Sequence, residues 1–263
     1  MKILTDSEAR QINILDERFY QNPNNPECYY PSVTAILDAY YKGYGFNDWL
    51  KSNGYNADII LERAAKRGST VHGMIEAYID GFLVSWLNDD LKPKYALDEW
   101  QMFCKFIDFW ETYNPEVVIS EMKIVSESLR FGGAIDLICK LNGELWLIDF
   151  KTSNNLHKVN ELQLSAYAMA WNEINPTYPI QNTGILWLNS ATRGADKTGK
   201  KIQGAGWQLK TFDRPYQEAF RLFQHTQAIW EEENPNYKPK NLIYKMEFQR
   251  DFNKEKNELQ NPN

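Results

Sequence analysis

Residues 130–140 read RFGGAIDLICK and residues 144–151 read ELWLIDFK, with Leu141, Asn142 and Gly143 between them. Both runs are short, rich in β-branched and aromatic residues and bounded by turn formers, which is the pattern of strands. An Asn-Gly pair favours a tight hairpin, so the two strands are expected to be antiparallel neighbours. Side chains alternate across a strand, so Asp149 and Lys151 share one face while Ile148 and Phe150 turn to the packed one. Asp136 lies thirteen residues before Asp149 and reaches the same edge once the hairpin closes. Two carboxylates and an ammonium then converge.

Two aspartates within a few ångströms repel unless one is protonated or a cation sits between them. Magnesium held by one or two carboxylates keeps several waters and accepts phosphate oxygens, which suits phosphodiester hydrolysis. A neighbouring lysine can orient or deprotonate a polarised water, or offset charge growing on phosphate. Gly132 and Gly133, read as a loop ahead of Asp136, are expected to let a sugar-phosphate backbone come close. Taken alone, an Asp-x-Lys on a strand is more often a solvated cross-strand ion pair.

Outward from this hairpin the chain reads as α/β. Residues 117–126 (VVISEMKIVS) form a further strand; 183–189 and 207–212 are two more. Helices are expected at about 158–175 and 214–232, and a longer amphipathic one at about 96–112. Upstream, Ser32 caps a short helix that Gly43 and Gly45 end, and a second runs from about Phe46 to Ser52 and stops at Gly54. Helical spacing continues over 57–66 and 69–80, with Gly68 read as a break between them. No Pro/Gly/Ser-rich linker divides the chain. One domain over residues 1–240 is expected, with a helical N-terminal part at about 28–115, a core at about 116–232 and a tail at 241–263.

Composition narrows the chemistry. The chain has 263 residues, 43% of them hydrophobic, enough to bury a sizeable core. Three cysteines and three histidines are scattered without CxxC spacing, so neither a disulfide framework nor a zinc site is supported and a hard cation is favoured. No stretch approaches the roughly 18 apolar residues of a membrane span, and Asp6 and Glu8 interrupt any leader-like start. A cytoplasmic protein without a membrane partner is expected. The net charge of −6 removes bulk electrostatics as a recruiting force for nucleic acid. A carboxylate site must be acidic, however, and gains phosphate affinity from bound cations and local Lys/Arg clusters.

Several ordered strings together carry a resemblance. GGAIDLI, then LWLIDFKTS, then Gln163-Leu164-Ser165-Ala166-Tyr167 resemble motifs II, III and QxxxY of the PD-(D/E)XK nuclease superfamily, in its RecB-like or Cas4-like exonuclease branch. Arg67-Gly68-Ser69-Thr70-Val71-His72, with Glu76 after it, resembles that branch's first motif, and Tyr30-Pro31-Ser32-Val33-Thr34-Ala35-Ile36-Leu37 its opening PSVT segment. The likeness implies a restriction-endonuclease-like core: a central mixed β-sheet flanked by helices, with a helical N-terminal elaboration.

The resemblance also implies roles. Asp136 and Asp149 would hold Mg2+ or Mn2+, with the Phe150 carbonyl and His72 completing the set. Lys151 would be the catalytic lysine, and Glu121 an acidic group binding metal or water. Gln163 and Tyr167, one helical turn apart, would support the site or touch DNA, as would Ser32, Arg67 and Thr152. The four-cysteine pattern of iron–sulfur relatives is not matched, so no cluster is expected. The implied activity is exonucleolytic hydrolysis of DNA ends in recombination, repair or replication, alongside proteins of those processes, in a bacterial or phage-infected cell. A structure- or sequence-specific endonuclease and a catalytically silent DNA-binding subunit are the alternatives. Read without the resemblance, His72 is a partly buried helix histidine, Gln163 and Tyr167 a polar helix margin, Glu121 and Lys123 an exposed strand face, and Ser32 a cap. Arg63, Lys66 and Arg67, and the group Arg193, Lys197, Lys200 and Lys201, are either phosphate grips or solvated charge.

Overall fold

The structure is a computed structural model that describes residues 10–14, 17–22, 24–189 and 206–239. The basic group at Arg193, Lys197, Lys200 and Lys201 and the tail at 241–263 lie outside the described residues. The hairpin expected at Asn142-Gly143 is present. Strand β5 (Phe131–Leu141) pairs antiparallel with β6 (Glu144–Lys151), and Asn142 and Gly143 take φ of 52° and 86°. Strand β4 (Glu116–Ser126) pairs antiparallel with the other side of β5, with a bulge between Val117 and Ile119. Helix α5 (Lys158–Ile174) then carries the chain over the sheet to β7 (Asn182–Trp187), which runs parallel to β6, and β8 (Gln208–Lys210) closes the far edge. The result is a five-stranded mixed sheet in the order β4-β5-β6-β7-β8, flanked by helices.

Both faces of that sheet are covered, and this corrects one expectation. Ile148 and Phe150 do enter a packed face, where they meet Phe106 and Phe109 of helix α4 (Leu97–Tyr113) and Val71, Met74 and Ile75 of helix α3 (Asn56–Ile79). The opposite face, which carries Leu145 and Leu147, is roofed by α5 and by helix α6 (Tyr216–Glu233) through Leu162, Trp171, Phe220 and Phe223. Asp149, on that face, is therefore buried at 4% exposure rather than solvated.

Two further corrections concern glycine. Gly68 does not break the helix: α3 runs unbroken for 24 residues. A single interior glycine costs a helix only about 1 kcal/mol, less than the burial of Val71, Met74 and Ile75 supplies downstream. Its bare position matters for another reason, because a Cβ there would stand 3.3 Å from Thr152 Oγ1. Gly132 and Gly133 lie inside β5 and not in a loop. A Cβ on Gly132 would fall 2.3 Å from the Tyr20 side chain, and one on Gly133 2.3 Å from the Tyr167 ring. Protein aromatics, not a nucleic-acid backbone, occupy the space these residues leave.

The N-terminal part is helical over most of its length, in α1 (Val33–Leu37), α2 (Tyr44–Asn53), α3 and α4, but it also holds strands the sequence reading did not include. Strands β1 (Arg10–Ile14), β2 (Glu17–Gln21) and β3 (Tyr30–Pro31) form a separate antiparallel sheet. Phe19 and Tyr20 are buried, and a bridge from Ser32 to Gly132 joins this sheet to the main one. Ser32 caps α1 as expected, its Oγ accepting the Ala35 N–H at 3.0 Å.

Candidate active site

The pairing of β5 and β6 stops at Leu137–Ile148, one residue short of Asp136 and Asp149. The strands part there. Asp136 Oδ2 accepts the Phe150 N–H at 2.7 Å, which fixes the carboxylate against the neighbouring strand. On β4, Met122 faces Ile135 and Ser120 faces Leu137, so Glu121 stands beside Asp136. Glu121 sits at φ 47°, a left-handed conformation that a non-glycine residue in a strand adopts only under constraint. From the other side α3 brings His72, whose Nδ1 lies 3.5 Å from Asp136 Oδ1 and 3.9 Å from Glu121 Oε1. His72 Nε2 is 3.1 Å from the Phe150 carbonyl oxygen.

Lys151 completes the group. Its Nζ lies 2.7 Å from Asp149 Oδ2 and donates to Gln163 Oε1 at 3.1 Å, while Gln163 Nε2 donates to the Tyr167 hydroxyl at 3.4 Å. Arg67 donates from its guanidinium to the Thr152 carbonyl at 3.3 Å, and Asn189 Nδ2 donates to the same oxygen at 3.1 Å. His72, Glu121, Asp136, Asp149, Phe150, Lys151, Thr152, Gln163, Tyr167 and Ser32 all line one cavity of about 560 Å3. Arg67 stands behind its wall at Thr152. The exposed Arg63 and Lys66 are not among the lining residues.

Gln11, Arg18 and Tyr20 from the N-terminal sheet also line the cavity. Sequence reading missed them because the sequence of β1 and β2 carries no motif and only a weak alternation. The one signal was indirect: the paired glycines at 132–133, which imply a close neighbour, and that neighbour includes Tyr20.

Burial and charge set the protonation states. Burial alone would lower the His72 imidazole, but Asp136, with Glu121 and Asp149 beyond it, overrides burial and lifts it to about 9. Burial pushes Glu121 up to about 7, with Asp136 adding to the rise and His72 opposing it. Burial likewise raises Asp149, to about 6, although Lys151 offsets part of the effect. Asp136 is held below its usual value despite burial, because His72, Lys151 and the Phe150 N–H all favour its anion. Lys151 stays above the ordinary lysine range, since Asp149 and Asp136 outweigh the burial of its ammonium.

These donors fit a divalent cation. Glu121 Oε1 is buried without a hydrogen-bond partner, and burying a carboxylate oxygen unpaired is costly. One ligand atom each from His72, Glu121 and Asp136 lies within 4.8 Å of the others. Two carboxylates and one imidazole suit a hard or borderline ion. With Nε2–H directed at the Phe150 carbonyl, His72 would present Nδ1 to such an ion, the arrangement in which a second partner fixes a histidine ligand. Asp149 stands outside this tightest triple, paired to Lys151.

The sequence model of the PD-(D/E)XK nuclease superfamily matches residues 49–241, well over half the chain. The chain belongs to the PD-(D/E)XK nuclease superfamily. Nuclease chemistry with a divalent metal, on a DNA substrate, is what that membership implies, and the matched stretch contains every cavity residue named above except Ser32, Gln11, Arg18 and Tyr20. No curated protein matches the chain. Among solved structures, one titled "Crystal structure of SSO0001" is similar over 66% of this chain and 88% of that one, at 10% identity and a TM-score of 0.27. That likeness is too loose to carry weight. Among the described residues no helix is long and apolar enough to cross a membrane.

Proposed function

We propose that this member of the superfamily is a Mg2+- or Mn2+-dependent deoxyribonuclease of the RecB-like branch, an exonuclease acting at DNA ends. The supporting observation is the convergence of His72, Glu121, Asp136, Asp149 and Lys151 on one cavity, with a buried carboxylate oxygen left unpaired. A protein that only bound nucleic acid would have no use for three mutually repelling carboxylates.

His72, Glu121 and Asp136 would hold the ion, with Asp149 at its margin, while the Phe150 carbonyl, read from the sequence as a ligand, would instead orient His72 through Nε2. When bound, the ion would polarise a phosphate oxygen and the attacking water. The chain's own groups supply the rest. The attacking water, more acidic beside the ion, would pass its proton to solvent or to the Glu121 carboxylate oxygen not held by the ion. Lys151 is held protonated by Asp149 and Asp136, which suits it to donate to the phosphate as negative charge grows rather than to act as a base. Gln163 fixes the position of that ammonium, and Tyr167 braces Gln163. Water adds to phosphorus, the ester P–O bond breaks, and the leaving oxygen takes a proton from the Lys151 ammonium, which regains it from solvent.

In this reading residues 1–240 form one nuclease domain with 241–263 as a tail, in the cytoplasm of a bacterial or phage-infected cell, acting beside recombination, repair or replication proteins. No iron–sulfur cluster takes part. The test is cleavage of end-labelled linear single- and double-stranded DNA and of closed circles with Mg2+, Mn2+ or EDTA, beside Asp149→Ala and Lys151→Ala. Metal-dependent release from ends that both substitutions abolish, with DNA binding retained, is expected. No metal-dependent cleavage would overturn the enzyme, and cleavage of closed circles would favour an endonuclease.

A further inference from the structure

The catalytic cavity has a neighbour on its Lys151 side. A second cavity, of about 660 Å3, is lined by Tyr40, Tyr41, Phe46, Leu61, Lys42 and Lys158, and it shares Thr34, Lys151 and Gln163 with the first. The two are continuous through the proposed catalytic lysine and its positioning glutamine.

Tyr40 packs against the main core, whereas Tyr41 and Phe46 belong to neither core cluster. Helix α2 has no buried residue, Tyr41 is 61% exposed, and the next aromatic, Tyr44, is 81% exposed. Tyr41 and Tyr44 meet edge to face with centroids 5.9 Å apart, and Lys42 Nζ stands 5.4 Å from the Phe46 centroid. One acidic group lies here, Asp38, and it is paired to Lys42 at 2.9 Å. Lys158 begins α5 at the opposite wall. An exposed tyrosine and a half-buried phenylalanine, which stacks on Trp49, with flanking ammonium groups match a polyanion that carries flat rings, which is a nucleic-acid strand.

In a duplex the two faces of each base are already stacked on their neighbours. Only an unpaired base can offer one to a tyrosine or phenylalanine. We propose that the cavity at Tyr41 and Phe46 receives an unpaired base adjoining the phosphate at the carboxylate cluster, so that the site selects single strands. Lys42 and Lys158 would take the flanking phosphates. The proposal rests on the nuclease reading above and names the substrate form for that same site.

The test measures binding in EDTA, where no cleavage occurs, by fluorescence anisotropy with a single-stranded DNA oligonucleotide, the same sequence in RNA, and a blunt DNA duplex. The double variant Tyr41→Leu/Phe46→Leu keeps apolar bulk but removes both rings, neither of which belongs to a core cluster; the thermal shift given by Mn2+ checks the neighbouring site. Single-strand binding weaker by about tenfold, with duplex binding and the Mn2+ shift unchanged, supports the subsite, and the strand that loses affinity names its chemistry. Equal binding of both single strands by wild type and double variant overturns it, as does a loss equal on single strands and duplex. In a second arm, an abasic nucleotide at the one position beside the cleaved phosphate should weaken binding to wild type but not to the double variant. Failure of the nuclease reading is read separately: absence of metal-dependent cleavage with the anisotropy difference intact leaves a single-strand binding site, whereas cleavage without that difference removes the subsite alone.

Discussion

Gln163 Oε1 accepts a hydrogen bond from Lys151 Nζ at 3.1 Å, so helix α5 gives the lysine a second anchor besides its ion pair with Asp149. A hydrogen bond to a charged group contributes about 1.5–3 kcal/mol. Replacing Gln163 with Leu leaves the ammonium with its Asp149 ion pair and less fixed in position. The expected result is a kcat lower by about ten- to hundredfold with KM little changed, read from steady-state cleavage. A matching rise in KM with kcat preserved would show that Gln163 binds substrate instead.

Gly133 is packed against the Tyr167 ring, and a methyl group there would sit 2.3 Å from it. Tyr167 is buried on α5 and cannot swing aside without moving Gln163. Gly133→Ala should therefore destabilise the fold by about 1–3 kcal/mol and reduce cleavage as well. Gly73, in the middle of α3 with nothing within 4 Å of its missing Cβ, is the contrast. Gly73→Ala should leave stability unchanged or raise it by up to about 1 kcal/mol. Thermal melts should show a lower midpoint for Gly133→Ala and an unchanged or higher one for Gly73→Ala.

The closeness of Asp136 and Asp149 was legible because a two-residue turn fixes register by counting: Leu141 faces Glu144, so the residues equally far from the turn come together. Local chemistry alone decided that contact. Glu121 was named through motif resemblance but its place could not be counted, since β4 joins β5 through residues 127–130 and carries a bulge near Val118. The break read at Gly68 failed because glycine's helix penalty is small beside the burial of the helix's second half. Strands β1 and β2 were invisible for a different reason. Their burial depends on Phe19 and Tyr20 meeting residues more than a hundred positions away, and no short-range pattern records that.

Protonation gives the site a pH signature. Glu121 at about 7 and Asp149 at about 6 are both raised above the value of about 4 they have unfolded. His72, at about 9, is raised above its unfolded value of about 6.5. A raised group stabilises the fold fully below its unfolded pKa and loses that contribution as pH climbs through its folded one. All three shifts run the same way, so the metal-free protein should lose stability from about pH 5 to 9. A divalent ion needs deprotonated ligands, and its effect should grow over the same range. Melts in EDTA and in Mn2+ should diverge as pH rises, and Glu121→Gln should flatten the part of the EDTA curve near pH 7. A metal-induced shift independent of pH would place the ion elsewhere.

Arg67 separates support of the site from contact with substrate. Its guanidinium donates to the Thr152 carbonyl at 3.3 Å and lies 3.6 Å from Asp98 Oδ2, so two of its nitrogens are already directed at protein oxygens. It thereby ties α3, which carries His72, to the residue after Lys151. A phosphate contact would contribute to the salt dependence of binding, and removing it would reduce the slope by about 1. A strut would not. Arg67→Ala is expected to lower stability by about 1 kcal/mol and to slow cleavage, while the slope of log affinity against log salt stays as in wild type. Asp98→Ala, at a half-exposed partner, should change neither quantity appreciably. A slope reduced by one unit in Arg67→Ala would move this arginine from the frame of the site to its phosphate contacts.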